Sequence, residues 1–182
     1  MRRHTRVSLR GTCDARYEDW AGYIQKMAQT PDDRLRDLGL SLPAARAPLA
    51  AYVPMVVTGN LAFVAGHGPL GPDGRPAFTG RLGRDLSDLD AENAARLTTM
   101  NVLATLKRGL GTLNTVSRVV ELRCFLVADE FSAAHLRVPL AVARLLTDVF
   151  GPGMSGGLTT IGVSACVLDL PVTVDLIAAV GA

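Results

Sequence analysis

Residues 52–67, Tyr52-Val53-Pro54-Met55-Val56-Val57-Thr58-Gly59-Asn60-Leu61-Ala62-Phe63-Val64-Ala65-Gly66-His67, decide the fold. Two apolar runs, 52–57 and 61–65, are joined by Thr58-Gly59-Asn60. A Gly-Asn pair between such runs signals a β-hairpin, because the tight turn needs residues that tolerate positive φ. Beyond it, residues 66–85 are rich in Gly and Pro, with one short strand expected at 77–80. Ser87 suits the N-cap of a long helix, with Asp90 three residues on in a capping-box position. Ala91, Ala94, Ala95, Thr98, Val102, Leu103, Leu106 and Leu110 recur at helical spacing, and Gly109 and Gly111 end the run.

Residues 117–128 alternate and carry enough β-branched side chains for a long strand. Residues 133–150 read as a second amphipathic helix, with Pro139 an irregularity expected to mark its true start and Gly151-Pro152-Gly153 its stop. Residues 159–168 and 172–180 close the chain as two strands. Ahead of the hairpin, Thr30 suits an N-cap, Pro31 the first helical position, Asp32 and Asp33 the positive end, and Gly39 the left-handed stop. Residues 40–51, rich in Pro and Ala, read as an extended connection.

Residues 1–27 differ from the rest: five arginines fall in the first twenty positions, with little periodicity and no turn chemistry. They read as a loosely ordered extension, or as an over-long start ahead of Met27. Residues 28–182 read as a single domain with the order β-β-(β)-α-β-α-β-β. The fold class is α/β (α+β), with one mixed six-stranded sheet and two helices covering one face. The other face, greasy at Val53, Met55, Val57, Ile161, Val163 and Ala165, predicts oligomerisation.

Apolar residues make up 48% of the 182, enough for a full core, and aromatics only 5%, so Leu, Val, Ala and Ile must fill it. A formal charge of +2 with dispersed basic residues argues against a nucleic-acid partner. No signal peptide or apolar stretch near ~18 residues is present, so the expectation is a cytoplasmic protein with no membrane partner. Cys13, Cys124 and Cys166 are too few and too scattered for a disulfide framework or a metal cluster. No metal or cofactor is expected.

Several strings, in order, resemble the Rid (RidA/YjgF) reactive-intermediate deaminase family over about residues 51–179. Tyr52-Val53-Pro54 followed by Gly59-Asn60-Leu61-Ala62-Phe63-Val64-Ala65-Gly66-His67 is similar to its opening Tyr-Val-Pro and Gly-Asn-Leu-hydrophobic-Phe-Val-Ser-Gly-Gln. The helix through Asn101, the strand VSRVVELRCF at 116–125, and the end Gly162-Val163-Ser164-Ala165 to Pro171-Val172-Thr173-Val174-Asp175 resemble further family elements. The resemblance implies a chorismate-mutase-like fold, a homotrimer with three pockets between subunits, and hydrolysis of the enamines and imines that pyridoxal-phosphate enzymes release. That activity uses an Arg to grip the substrate carboxylate, with a Glu and backbone groups to position water.

This chain departs from the pattern. Leu158 stands at the Arg position, Thr173 at the Glu, Ala65 at the Ser and His67 at the Gln. Loss of a bidentate Arg costs on the order of several kcal/mol of carboxylate binding. The expected substrate is therefore a small imine, enamine or carbonyl intermediate without a free carboxylate, as in specialised metabolism. The alternative is a non-catalytic ligand-binding or partner protein on the same trimeric scaffold. Ribonuclease activity, attributed to some family members, conflicts with the near-neutral charge.

Within this reading His67 and Tyr52 are the candidate catalytic residues: His67 for its titration near neutrality, Tyr52 for its hydroxyl. Ala65, Gly66, Leu158, Thr159, Thr160, Thr173 and Arg123 are the candidate substrate-binding residues, Arg123 as a substitute cation. His135 reads as a surface residue. The loop 151–157 (GPGMSGG) lacks the Gly-Lys-Ser/Thr of a phosphate loop and reads as a mobile pocket rim to which Met154 adds an apolar contact.

Overall fold

The hairpin forms as Met55–Thr58 (β1) and Leu61–His67 (β2), with Thr58 opposite Leu61 and Gly59 at φ +58. The computed structural model describes residues 29–45, 52–129, 132–152 and 156–181. The N-terminal extension, Cys13 and Met154 lie outside the described residues. β1 starts at Met55 rather than residue 52 because Pro54 has no N–H for the ladder, although its carbonyl accepts from the Ala65 N–H at 2.9 Å.

Val116–Leu126 (β3), Gly157–Gly162 (β4) and Val172–Val180 (β5) complete one sheet in the order β1-β2-β5-β3-β4. Among the described strands only β3 and β4 run parallel, a pairing that needs the long connection between them. Among the described residues three helices accompany them: Pro31–Asp37 (α1), Asp88–Leu110 (α2) and Ala134–Phe150 (α3), the last forming the β3-to-β4 crossover. Thr30 and Ser87 each close a capping box, with Asp33 and Asp90 respectively.

Strand alternation divides the sheet into two faces. Ala62 and Val64 of β2, Leu122, Cys124 and Leu126 of β3, and Val172, Val174, Leu176 and Ala178 of β5 are buried with the apolar stripes of α2 and α3. The opposite face holds Thr173, Asp175 and Ile177, with Phe125 and Phe63 in register beside them. Phe63 and Val120 remain exposed.

The sheet has five strands among the described residues, not six. Residues 77–80 pair with no strand: the bridge Leu70 to Pro76 lies just before them, the Ala77 N–H donates to the Pro69 carbonyl at 2.9 Å, and Gly80 turns to donate to the Asp169 carbonyl at 3.0 Å. The strand expected over 159–168 ends at Gly162; Val167–Asp169 is instead a tight 3-10 turn with Leu168 at φ 55 and Asp169 at φ 57. Pro139 lies inside α3, buried in the core, rather than at its start. A prolyl ring in the interior costs about 3 kcal/mol in an isolated helix, and here the packing around it compensates.

Near its end, β2 carries a bulge. Its pairing with β5 runs in step to Val64–Leu176, then resumes at His67–Val174, one residue late. Unbroken alternation would put His67 on the open side with Phe63 and Ala65. The extra residue turns it under the sheet, toward α2.

Candidate active site

A cleft of about 100 Å³ opens where β2 ends, between the bulge, α2 and the 167–170 turn. Its walls include Tyr52, Gly66, His67, Asn101, Thr105 and Thr173, with Leu70, Val167 and Leu170 as the apolar side. Two glycines let the walls approach. A Cβ on Gly66 would lie 2.9 Å from the Thr173 methyl, and one on Gly68 would overlap the Leu170 side chain.

His67 is held at both ring nitrogens. Nδ1 lies 2.6 Å from the Ala65 carbonyl oxygen and Nε2 lies 2.7 Å from Thr105 Oγ1. A carbonyl only accepts, so Nδ1 carries the hydrogen; in the neutral ring Nε2 is then the acceptor and the Thr105 hydroxyl donates to it. Burial holds the imidazole below its usual value, partly opposed by the Ala65 bond, so the ring is neutral at neutral pH. Asn101, one helical turn before Thr105, donates from Nδ2 to the carbonyls of Gly68 and Leu70 at 2.9 and 3.1 Å, pinning the cleft's floor.

The structure thus gathers Tyr52, Gly66, His67 and Thr173 in one place, with Ala65 supplying the carbonyl that orients His67. It does not bring the other expected residues there. Leu158, Thr159 and Thr160 lie on β4, the edge strand, with β5 and β3 between it and β2. Arg123 is committed elsewhere: its Nε donates to Asp175 Oδ1 at 2.7 Å. His135 is half-buried, not a free surface residue; its Nδ1 lies 3.1 Å from the Ser132 carbonyl and its ring faces Gly162. Cys124 is inert, since burial, aided by the Asp175 charge, pushes its thiol up to about 12.

Asn101 and Thr105 were not expected at the site. The signal was present: with Thr98 they repeat polar residues at intervals of three and four along the buried stripe of α2. Among the described residues no group of three or more His, Cys, Asp or Glu side chains is placed to hold a metal, and no helix is long and apolar enough to cross a membrane.

Comparison with known proteins agrees with this architecture. Residues 32–171 match the family described as "YjgF/chorismate_mutase-like, putative endoribonuclease". Protein TCP17 of Trypanosoma cruzi is 34% identical over 117 residues, which span 64% of this chain and 72% of that protein. The crystal structure of a protein of unknown function from Agrobacterium tumefaciens superposes with a TM-score of 0.75 at 31% identity, over 87% of this chain and 98% of that one. A "putative endoribonuclease" from Shewanella oneidensis gives a TM-score of 0.78 at 27% identity, over 84% of this chain and all of that one. Sheet order, crossover helix and sequence match lead to one conclusion: this chain belongs to the YjgF/chorismate-mutase-like (Rid) family.

Proposed function

We propose that this chain is a diverged RidA-like enzyme that takes a small uncharged imine, enamine or carbonyl intermediate of specialised metabolism into the Tyr52–His67 cleft. The observation that carries this reading is the cleft's charge. Tyr52, His67, Asn101, Thr105 and Thr173 line it, with neither a cation nor a carboxylate among its described walls. A ligand carboxylate would be desolvated there without a partner, at a cost of a few kcal/mol or more. The neutral His67–Thr105 pair and the Tyr52 hydroxyl supply the groups that exchange protons with such a ligand. A homotrimer in the cytoplasm completes the reading: the open sheet face leaves Phe63 and Val120 for a second copy to cover, and a neighbouring subunit's Leu158 would form the remaining wall of each cleft.

Two substrates test it. One is an uncharged N–H imine in equilibrium with its primary enamine; the other is 2-aminoacrylate, generated in place by a pyridoxal-phosphate dehydratase. The protein is expected to accelerate decay of the first only, with Tyr52→Phe and His67→Asn each slowing it. No acceleration of the uncharged imine would end the reading. A second reading, capture without chemistry, is favoured by His67 having both nitrogens bonded within the protein, so that neither is aimed at a ligand. Saturable binding of the imine with unchanged decay would select it.

A further inference from the structure

The hydrogen-bond inventory of α2 goes further than the absence of charge. Both amide hydrogens of Asn101 are taken by the Gly68 and Leu70 carbonyls. Among the described residues its Oδ1 has no partner, and because no buried polar side-chain atom there lacks one, that oxygen, on a residue that lines the cleft, is not sealed in the core. The hydroxyl hydrogen of Thr105 is taken by His67 Nε2, so Thr105 Oγ1 too has only lone pairs left. Two oxygens one turn apart on one helix, with Cβ atoms about 5–6 Å apart, thus face a ligand as acceptors. A single nitrogen with two N–H bonds of about 2.9 Å can bridge them.

We propose that the cleft selects uncharged ligands bearing an NH₂ group, an enamine or a primary amide, gripped between Asn101 Oδ1 and Thr105 Oγ1 with a short hydrocarbon against Leu70, Val167 and Leu170. This rests on the neutral-ligand reading above and names its ligand class. Acceptor-only molecules of the same shape find no donor on this helix face. Protonation of His67 reverses the second contact: Nε2–H then donates to Thr105 Oγ1, which frees the threonine hydrogen for the ligand. The groups around His67 are the Ala65 carbonyl on β2, Asn101 and Thr105 on α2, Thr173 on β5, Val167 and Leu170 on the turn, and Tyr52, the one other titratable side chain among the described walls. No charged residue intervenes there.

The test is a nuclear magnetic resonance titration of the full chain with propionamide and with 2-butanone, in which a methyl replaces the NH₂. Propionamide is expected to bind at least tenfold more tightly at neutral pH, with a smaller preference under acid conditions that protonate His67. Thr105→Val should erase the preference and Thr105→Ser should keep it. Ring nitrogen shifts of the unmodified protein provide a check that needs no variant, and should report hydrogen on Nδ1. Equal binding of the two probes, binding of neither, a preference that survives Thr105→Val, or hydrogen on Nε2 of the neutral ring would each overturn the proposal. Turnover of the imine bears on the broader reading alone. A catalytically silent protein that prefers propionamide keeps this inference, and an active one that prefers neither probe loses it.

Discussion

Arg123 and Asp175 sit opposite each other on adjacent strands, Nε to Oδ1 at 2.7 Å, on the sheet face away from the helices. The guanidinium that could have replaced the family's carboxylate grip is therefore paired through Nε outside the cleft walls, by a residue two positions beyond Thr173. Arg123→Gln is expected to leave the affinity of the cleft for an uncharged ligand within about twofold, as for independent sites. Isothermal titration checks this. A collapse in affinity would mean the side chain reaches the ligand after all.

The buried imidazole makes stability depend on pH. His67 binds a proton more weakly when folded than when unfolded, because burial disfavours its charged form. Below the usual histidine value of about 6.5 the unfolded chain carries more protons, so stability is present above that pH and declines as pH falls through the lower folded value. Urea midpoints at pH 7.5, 6.0 and 5.0 should decrease in that order, and His67→Asn should flatten the decrease. A midpoint that rises on acidification would contradict the assignment.

Two glycines separate backbone collisions from side-chain ones. A Cβ on Gly156 would run into the carbonyl oxygens of Val119 and Val120, backbone of β3 just ahead of its ladder with β4, whereas one on Gly109 would meet the thioether end of Met55. Backbone cannot yield and methionine can. Gly156→Ala is expected to cost about 1–3 kcal/mol or more, and Gly109→Ala to be neutral or to gain up to about 1 kcal/mol of helix propensity. Thermal melts of the two variants should move in different directions or by clearly different amounts.

The cap of α2 offers a calibrated loss. Ser87 Oγ accepts from the Asp90 N–H at 3.2 Å while the Asp90 carboxylate accepts from the Ser87 N–H, also at 3.2 Å. Ser87→Ala should destabilise by about 1 kcal/mol, a fall in Tm of about 2–4 °C for a chain of this size. An unchanged Tm would show that the long helix does not depend on its first turn.

That cap was readable from sequence because it is local: Ser87 and Asp90 are three residues apart and need nothing else. The Gly59-Asn60 hairpin and the Val172–Val180 strand were readable for the same reason. Residues 77–80 misled because a short extended segment has no periodicity to separate a strand from a loop, and only the pull of Asp169 and the neighbouring bridges decides. The site was half legible. Tyr52, Gly66, His67 and Thr173 share the cleft; the polar repeat Thr98, Asn101, Thr105 marks a stripe of α2, but which cleft that stripe faces depends on the rotation of the helix against the sheet. Nor does any local pattern reveal that β2 carries one residue too many.

That surplus residue in β2 decides which compartment of the molecule His67 inhabits. A strand has only two sides, so adding or removing one position transfers every later side chain from one to the other while the hydrogen-bonded framework survives almost intact. In a lineage built on this sheet, single-codon insertions and deletions near residue 65 are thus a route by which an imidazole could migrate between the interior and the outward surface, moving chemistry without moving the scaffold.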